Sequence, residues 1–377
     1  MRVCYFGTYR SQYARNQILI EGLRRAGVEV LECHESLWID DSDRVKTAEG
    51  GWFHPSFWWR VLRTYYRLLV QYRHIKTYDI LVVGYPGHFD IFLARLLSWW
   101  RRTPLVWDVL NSLYLIILER GIHKSHPLTG QIIRIVEKIA CQLPDMMILD
   151  TKQFIDWFQK THNVNSRKFR LVQIGADDRL FQPIDNISSS DDPFDVIYYG
   201  SYIPNHGVSY IIQAAAILAD DPNIRFTMIG DGPEQPIAKT LSHKFNLNNV
   251  QFLDWMDHKE LINQIARANL VLGVFGTTQQ LLLTNNNKIY EAFAMRKPVI
   301  SGNSPALPLM LINREHLYLC ERGNPDSLAE GISTLKNDPL LCQKLAYNGH
   351  QIFHQYFDID HIGAKFAGHL AEVQKNQ

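Results

Sequence analysis

The sequence predicts an α/β protein built from two doubly wound parallel-sheet domains in series. Short, nearly continuous apolar runs alternate with amphipathic helical stretches along the whole chain, the pattern of parallel strands covered on both faces by helices. The 377 residues suffice for two domains of ordinary size. One stretch, "PIDNISSSDDP" at 183–193, is dense in Ser, Asp, Asn and Pro and predicts the linker between them. The domains expected are therefore 1–185 and 186–357, with a terminal helix over 358–377.

In the first half, strands are expected at 2–6 (RVCYF), 28–33, 79–83 (DILVV), 104–107, 145–149 and 169–173. In the second half they are expected at 194–199 (FDVIYY), 224–229 (IRFTMI), 249–253, 269–275, 297–301 and 317–320. Helical periodicity fills the intervals, for example at 15–26, 207–219 and 233–245. In such sheets ligands gather at the carboxyl ends of strands, and two facing sheets predict a cleft site.

Composition narrows the class. Apolar residues make up 46% and charged residues 20%, a globular balance. Residues 1–185 hold 25 Lys+Arg against 19 Asp+Glu, whereas 186–377 hold 14 against 19, so the first half is the one expected to meet something anionic. The excess is too mild for nucleic acid, and no zinc-finger or RNP-like spacing occurs. Five scattered cysteines without a C-x-x-C predict neither disulfides nor a zinc site and suit a reducing, cytoplasmic setting. "MRVCYFG" enters a short strand without the long apolar region of a signal peptide, and no run of about 18 apolar residues predicts a spanning helix.

Three strand–loop–helix junctions suit phosphate, because a helix N-terminus offers unpaired N–H groups and partial positive charge. They are "YFGTYRSQYARN" with Gly7 and Thr8, "YYGSYIPNHG" with Gly200, Ser201 and His206, and "TNNNKIYEAF" with Asn287 and Lys288. Each taken singly also reads as ordinary loop punctuation. "IGDGPE" at 229–234, with Gly230 and Asp231, begins like a dinucleotide fingerprint but lacks its third glycine, and Asp231 reads equally as a helix cap.

These elements together carry a resemblance. "VIYYGSYIPNHGVSYIIQAAAIL", "FTMIGDGPE", "VQFLDWMDHKELINQIARANLVLGVF" and "NKIYEAFAMRKPVIS" follow one another as in glycosyltransferase family 4, of the GT-B fold. The first half is similar more loosely, through its opening strand–glycine loop, "LVVGYPGH" and "GADDRLFQP", and "FDIDHIGAKFAGHL" looks like the terminal helix that returns to the first domain in that fold. The resemblance implies a retaining, metal-independent transfer of sugar from a nucleotide-diphosphate sugar to a cell-envelope, polysaccharide or lipid-linked acceptor, with no cofactor. It implies that Glu291 accepts the donor's ribose hydroxyls, that Met256 to His258 border the base, and that Asn287 and Lys288 hold the diphosphate. A carboxylate is acceptor-only and can take both hydroxyls of a cis-diol; the plainer reading is that Glu291 supports its own helix. Gly7, Thr8, Arg10 or Arg15, Gly200, Ser201, His206, Gly230 and Asp231 complete the donor side, and Asp108 and His88 are candidates for positioning acceptor or sugar. Asp108 also reads as a cap for the next helix.

Departures from the family pattern accompany the match. Leu283 stands where a first acid usually precedes Glu291 by eight residues, leaving sugar contacts to Gln279, Gln280, Asn285 or Asn286. The loop after the first strand of the second domain lacks the usual Arg and Lys, and Arg296 replaces a glycine before Lys297. Leu283 keeps open a second reading, a non-catalytic nucleotide- or glycan-binding GT-B protein of a polysaccharide complex. The Asp-x-Asp triplets Asp41-Ser42-Asp43 and Asp358-Ile359-Asp360 read as a polar loop and a helix cap rather than a metal site. Finally, "FWWRVLRTYYRLLVQYRHIK" (57–76) predicts a helix with Arg60, Arg63, Arg67, Gln71 and His74 on one face and Trp58, Leu62, Tyr65, Leu69 and Tyr72 on the other. Either its arginines face water and its apolar side the sheet, or, with "LLSWWRR" (96–102), it touches an anionic membrane surface from the cytoplasmic side.

Overall fold

The computed structural model of the chain describes residues 1–37, 54–184 and 193–375. Most of the expected linker and the triplet Asp41-Ser42-Asp43 lie outside the described residues. The chain divides into two compact units, Met1–Gln173 with Ile362–Gln377, and Ile174–His361.

The first unit is a six-stranded parallel sheet in the order β2-β1-β3-β4-β5-β6. Its strands are β1 Arg2–Gly7, β2 Glu29–His34, β3 Ile80–Val83, β4 Leu105–Asp108, β5 Met146–Leu149 and β6 Phe169–Leu171. Every residue of β3, β4 and β5 is buried, which is why these strands read as unbroken apolar runs. Its helices are α1 Ala14–Arg25, α2 Pro55–Arg73, α3 Asp90–Arg101, α4 Leu113–Glu119, α5 Ile122–Ser125, α6 Pro127–Gln142 and α7 Lys152–His162. Right-handed crossovers with this strand order put α1 on one face and α2, α3, α6 and α7 on the other. A β-carbon on Gly363 would stand 2.2 Å from the Gly22 carbonyl carbon, so the terminal helix lies backbone to backbone on α1.

The second sheet has the order β12-β11-β10-β7-β8-β9, also wholly parallel. Its strands are β7 Phe194–Tyr199, β8 Ile224–Ile229, β9 Val250–Leu253, β10 Leu270–Leu272, β11 Val299–Gly302 and β12 Tyr318–Cys320. Strand β10 stops short of the expected 275 because beyond Leu272 the chain turns its donors elsewhere: the Val274 amide donates to Ser301 Oγ. The helices are α8 Val208–Ile217, α9 Gln235–Lys244, α10 His258–Arg267, α11 Asn287–Ala294, α12 Pro325–Asn337 and α13 Pro339–Tyr356; the terminal helix α14 Ile359–Lys375 belongs to the first unit from Ile362 onward. Ile211, Phe226, Leu272, Ile300 and Ile332 anchor the core between sheet and helices. Asp358 caps α14 as expected, accepting from the His361 amide at 2.8 Å.

Helix α2 departs from its expected orientation. Its buried stripe is Thr64, Leu68 and Tyr72, while Trp58, Leu62 and Leu69, assigned above to the sheet side, are exposed together with Trp59 and Tyr66. The sheet takes a stripe only one residue wide, so most of the helix's aromatic surface points away from it.

Two further expectations give way to an ion pair. Arg15 is not a phosphate ligand, because its guanidinium is buried and directed inward: Nη2 donates to Asp108 Oδ1 at 2.8 Å and Nη1 to the Val172 and Gln173 carbonyls. Asp108 is fully buried as that cation's counter-ion and is neither a helix cap nor open to a substrate. The next helix is capped instead by Ser112, whose Oγ accepts from the Leu115 amide. The pair ties α1 and β4 to the strand end at 172–173. Removing one partner strands a charge in an apolar interior, which costs about 3–5 kcal/mol. We expect Asp108→Ala to lower the unfolding free energy from urea denaturation by that order, with a lower midpoint, and the double change Arg15→Met with Asp108→Leu to recover most of the loss. An unchanged midpoint in the single variant contradicts the pairing.

Candidate functional site

In the second unit the strand order reverses between β7 and β10, so the crevice that binds ligands in doubly wound sheets opens where these two strands end. Their loops interlock through backbone. At Gly207 (φ +66°) a β-carbon would come within 2.4 Å of the Gly276 nitrogen, and the Phe275 amide donates to the His206 carbonyl at 3.0 Å. At Gly230 (φ +126°) a β-carbon would come within 2.1 Å of the Gly200 carbonyl oxygen, which fixes the loop after β8 against the loop after β7. Asn205 Nδ2 donates to Gln280 Oε1 at 3.0 Å, closing the same ring of loops.

Helix α11 begins at this crevice. Asn286 precedes it without a side-chain cap, and the Asn286 Oδ1 is buried with no hydrogen-bond partner among the described residues. Lys288 and Glu291, one turn apart, project together. The Lys288 ammonium is buried over the Tyr198 ring, 5.4 Å from its centroid, and lies 3.0 Å from where a β-carbon at Gly200 would stand. Burial pushes this ammonium down to about 8, and the Glu291 carboxylate opposes the shift. Burial raises the Glu291 carboxyl above its ordinary value, against the pull of the Tyr199 hydroxyl, which donates to Oε2 at 2.9 Å, and of the charges at Lys288 and His258. A cation and an acceptor-only group thus share one desolvated turn beside uncapped helix amides, an arrangement suited to a ligand carrying both anionic oxygens and hydroxyls.

The other residues expected in the second unit divide. His206 Nδ1 donates to the Ser201 carbonyl at 2.6 Å, and burial with the nearby Lys288 charge holds the imidazole well below its usual range, hence neutral. His258 is exposed at the first position of α10, behind half-buried Met256; Asp257 caps that helix by accepting from the Glu260 amide at 2.8 Å. Asp231 does not cap α9, because its carboxylate turns back to the Gly232 amide at 2.6 Å; the residue at the cap position is Glu234. Leu283 ends a short 3-10 turn at Gln280–Leu282. Tyr199, the partner that orients Glu291, was missed from sequence, although a tyrosine ending a strand just before a loop glycine is the available signal.

In the first unit the switch point lies between β1 and β3, and there the protein fills its own anion site. The Thr8 amide donates to Asp90 Oδ2 at 2.7 Å, the Thr8 hydroxyl reaches the same carboxylate, and Tyr65 Oη donates to Asp90 Oδ1 at 2.7 Å. A β-carbon on Gly7 would lie 2.6 Å from Asp90 Oδ2. The expected phosphate contacts of Gly7 and Thr8 are therefore corrected: an internal carboxylate takes the place of the ligand. His88 is also buried, with Nε2 3.1 Å from the Asn111 carbonyl and 3.3 Å from Glu137 Oε1. Glu137 further accepts from the Ser112 hydroxyl and the Leu113 amide and lies 3.1 Å from His162 Nε2. Burial alone would raise the Glu137 carboxyl, but the two histidines outweigh it and hold it at about 2. His88 thereby fastens the loop after β3 to the start of α4.

Residues 182–352 match the family model described as glycosyl transferases group 1. Over 341 residues the chain is 22% identical to alpha-D-kanosaminyltransferase of Streptomyces kanamyceticus, covering 86% of this chain and 83% of that protein. It is 22% identical over 198 residues to the capsular polysaccharide biosynthesis glycosyltransferase CapM of Staphylococcus aureus, covering 51% of this chain and 48% of that one. Among solved structures, Anabaena Alr3699/HepE in complex with UDP superposes with a TM-score of 0.69 at 17% identity, covering 98% and 99% of the two chains. The two six-stranded units have the Rossmann-like form of the GT-B fold, and the stretch that matches the group 1 model lies in the second of them but for residues at its start.

The coupling between the two charges on α11 is directly measurable. In Glu291→Gln the Lys288 ammonium loses the anion that favours its charged form, so its titration, followed by NMR of the ε-carbon, should fall further below about 8. An unmoved titration contradicts the shared site.

Proposed function

We propose that this chain is a glycosyltransferase that moves a sugar from a nucleotide-diphosphate sugar to a polysaccharide, cell-envelope or lipid-linked acceptor, with retention of configuration and without a required metal. The observation that carries the reading is the buried Lys288–Glu291 turn at the switch point of the second sheet. The diphosphate lies against the first amides of α11 and the Lys288 ammonium, and the ribose hydroxyls donate to Glu291. In the transfer, the acceptor hydroxyl oxygen bonds to the anomeric carbon as that carbon's bond to the diphosphate breaks; the leaving group keeps the electron pair, and its freed oxygen takes up the hydroxyl's proton. Negative charge then grows on the phosphate oxygens, where Lys288 and the helix amides face it in a site poor in water. The match of 182–352 to group 1 glycosyl transferases supports the reaction class, and the UDP-bound structural neighbour is consistent with a nucleotide in this fold.

The acceptor belongs to the first unit in this reading, but not through Asp108 or His88, whose polar groups hold the fold together. Leu283 favours the second possibility, a protein that binds the nucleotide without turning it over, and assays of donor hydrolysis and transfer distinguish the two.

Calorimetry with UDP, GDP and ADP in parallel tests the donor site. Glu291→Ala and Lys288→Met should each weaken the preferred nucleotide roughly ten- to a hundred-fold, the effect of losing one hydrogen bond to a charged group. For Lys288 the sign with pH is fixed. The ammonium is charged below about 8, and an anionic ligand stabilises that form, so affinity should be full at pH 7 and fall as pH rises through 8 and beyond. Lys288→Met should remove this dependence. Equal affinities in wild type and Glu291→Ala would falsify the ribose role.

A further inference from the structure

We propose that the first unit docks on an anionic lipid bilayer through one face made by α2, α3 and α6. These three helices lie side by side, since right-handed crossovers put them all on the same side of the first sheet over consecutive strands. Side-chain contacts bridge them: the Arg101 guanidinium of α3 stacks 5.2 Å from the Tyr72 ring of α2, and Arg95 of α3 donates to the Leu143 carbonyl just beyond α6.

Their outward surfaces have a composition unlike an ordinary solvated face. Trp59 is 70% exposed, Tyr66 69%, Trp100 70% and Ile135 58%. Such residues scattered singly need no explanation, but a run of them across three adjoining helices does. Basic groups are interleaved with them: Arg63, Arg67 and Arg73 on α2, and Arg134 and Lys138 on α6, are all exposed. The carboxylates of these helices, Asp90 on α3 and Glu137 on α6, are both buried and bonded inward. The face therefore offers aromatic rings and cations with no exposed acid on any of its three helices.

That pairing identifies the occupant. Exposed cations with no exposed acid on the same helices call for a uniformly anionic occupant, and a bilayer surface takes tryptophan and tyrosine at headgroup depth and arginine beside anionic headgroups. No described helix is long and apolar enough to cross a membrane, so the contact is interfacial. The contact expected of residues 57–76 with the help of 96–102 thus extends to α6, as a surface in which rings and guanidinium groups enter together.

Flotation with phosphatidylglycerol–phosphatidylcholine vesicles tests this without nucleotide or acceptor, so its outcome is independent of the donor-site measurements. Wild-type protein should float with these vesicles at low salt, be released at high salt, and not float with pure phosphatidylcholine. Arg63→Gln and Arg67→Gln should each lower the partition coefficient about five-fold, as loss of one basic side chain near an anionic surface does. Trp59→Ser with Trp100→Ser should lower it at every salt concentration, with circular dichroism unchanged. The proposal fails if wild type does not float, if it floats equally on neutral vesicles, or if light scattering shows a stable dimer that Trp59→Ser dissolves, which would assign the face to a second copy.

Discussion

The second unit turns on the desolvation of one lysine. An ammonium is expensive to bury, and Lys288 is buried with one carboxylate, two tyrosine rings and a loop backbone for company. Its surroundings compensate the charge only in part, as its lowered titration shows. The loops after β7, β8 and β10 approach one another backbone to backbone, which keeps Gly200 beside the ammonium. A site kept short of negative charge is preorganised for a ligand that brings it.

The two units solve the same topological problem in opposite ways. Both end parallel strands at a point where the order reverses, and both present a glycine loop there. In the first, the anion is supplied from within: Asp90 answers the amide of Thr8, and the acid's elevated pKa reflects its burial. In the second, the equivalent loop meets a cation, Lys288. An internal acid removes the need for an external one; an internal base creates it. The contrast between the two sheets follows from which sign of charge the chain supplies to each.

Strands β3, β4, β5, β10 and β11 were legible because a strand buried on both faces needs no partner information: its apolar run suffices. Lys288 and Glu291 were legible through the family resemblance of the segment that holds them, and their three-residue spacing on one helix puts them on one face. The pairs that corrected the reading are distant in sequence. Asp90 meets Thr8 across 82 residues, Arg15 meets Asp108 across 93, and Glu137 joins His88 and His162 from a third element. A polar residue ending a strand looks the same in sequence whether its partner is a substrate or a side chain on another helix. The buried stripe of α2 was misjudged for a related reason: two arcs of that helix are rich in aromatic residues, and periodicity does not say which arc the sheet receives.

The backbone contact between Gly230 and Gly200 bears on attempts to re-engineer the loops of this crevice. Recognition loops on many scaffolds can be exchanged one at a time, because each rests on the scaffold rather than on its neighbours. Here a transplanted loop carrying even an alanine at either Gly207 or Gly230 would displace the loop beside it, and with it the pocket of Lys288. Retargeting by chimera would have to move the three crevice segments as a single cassette.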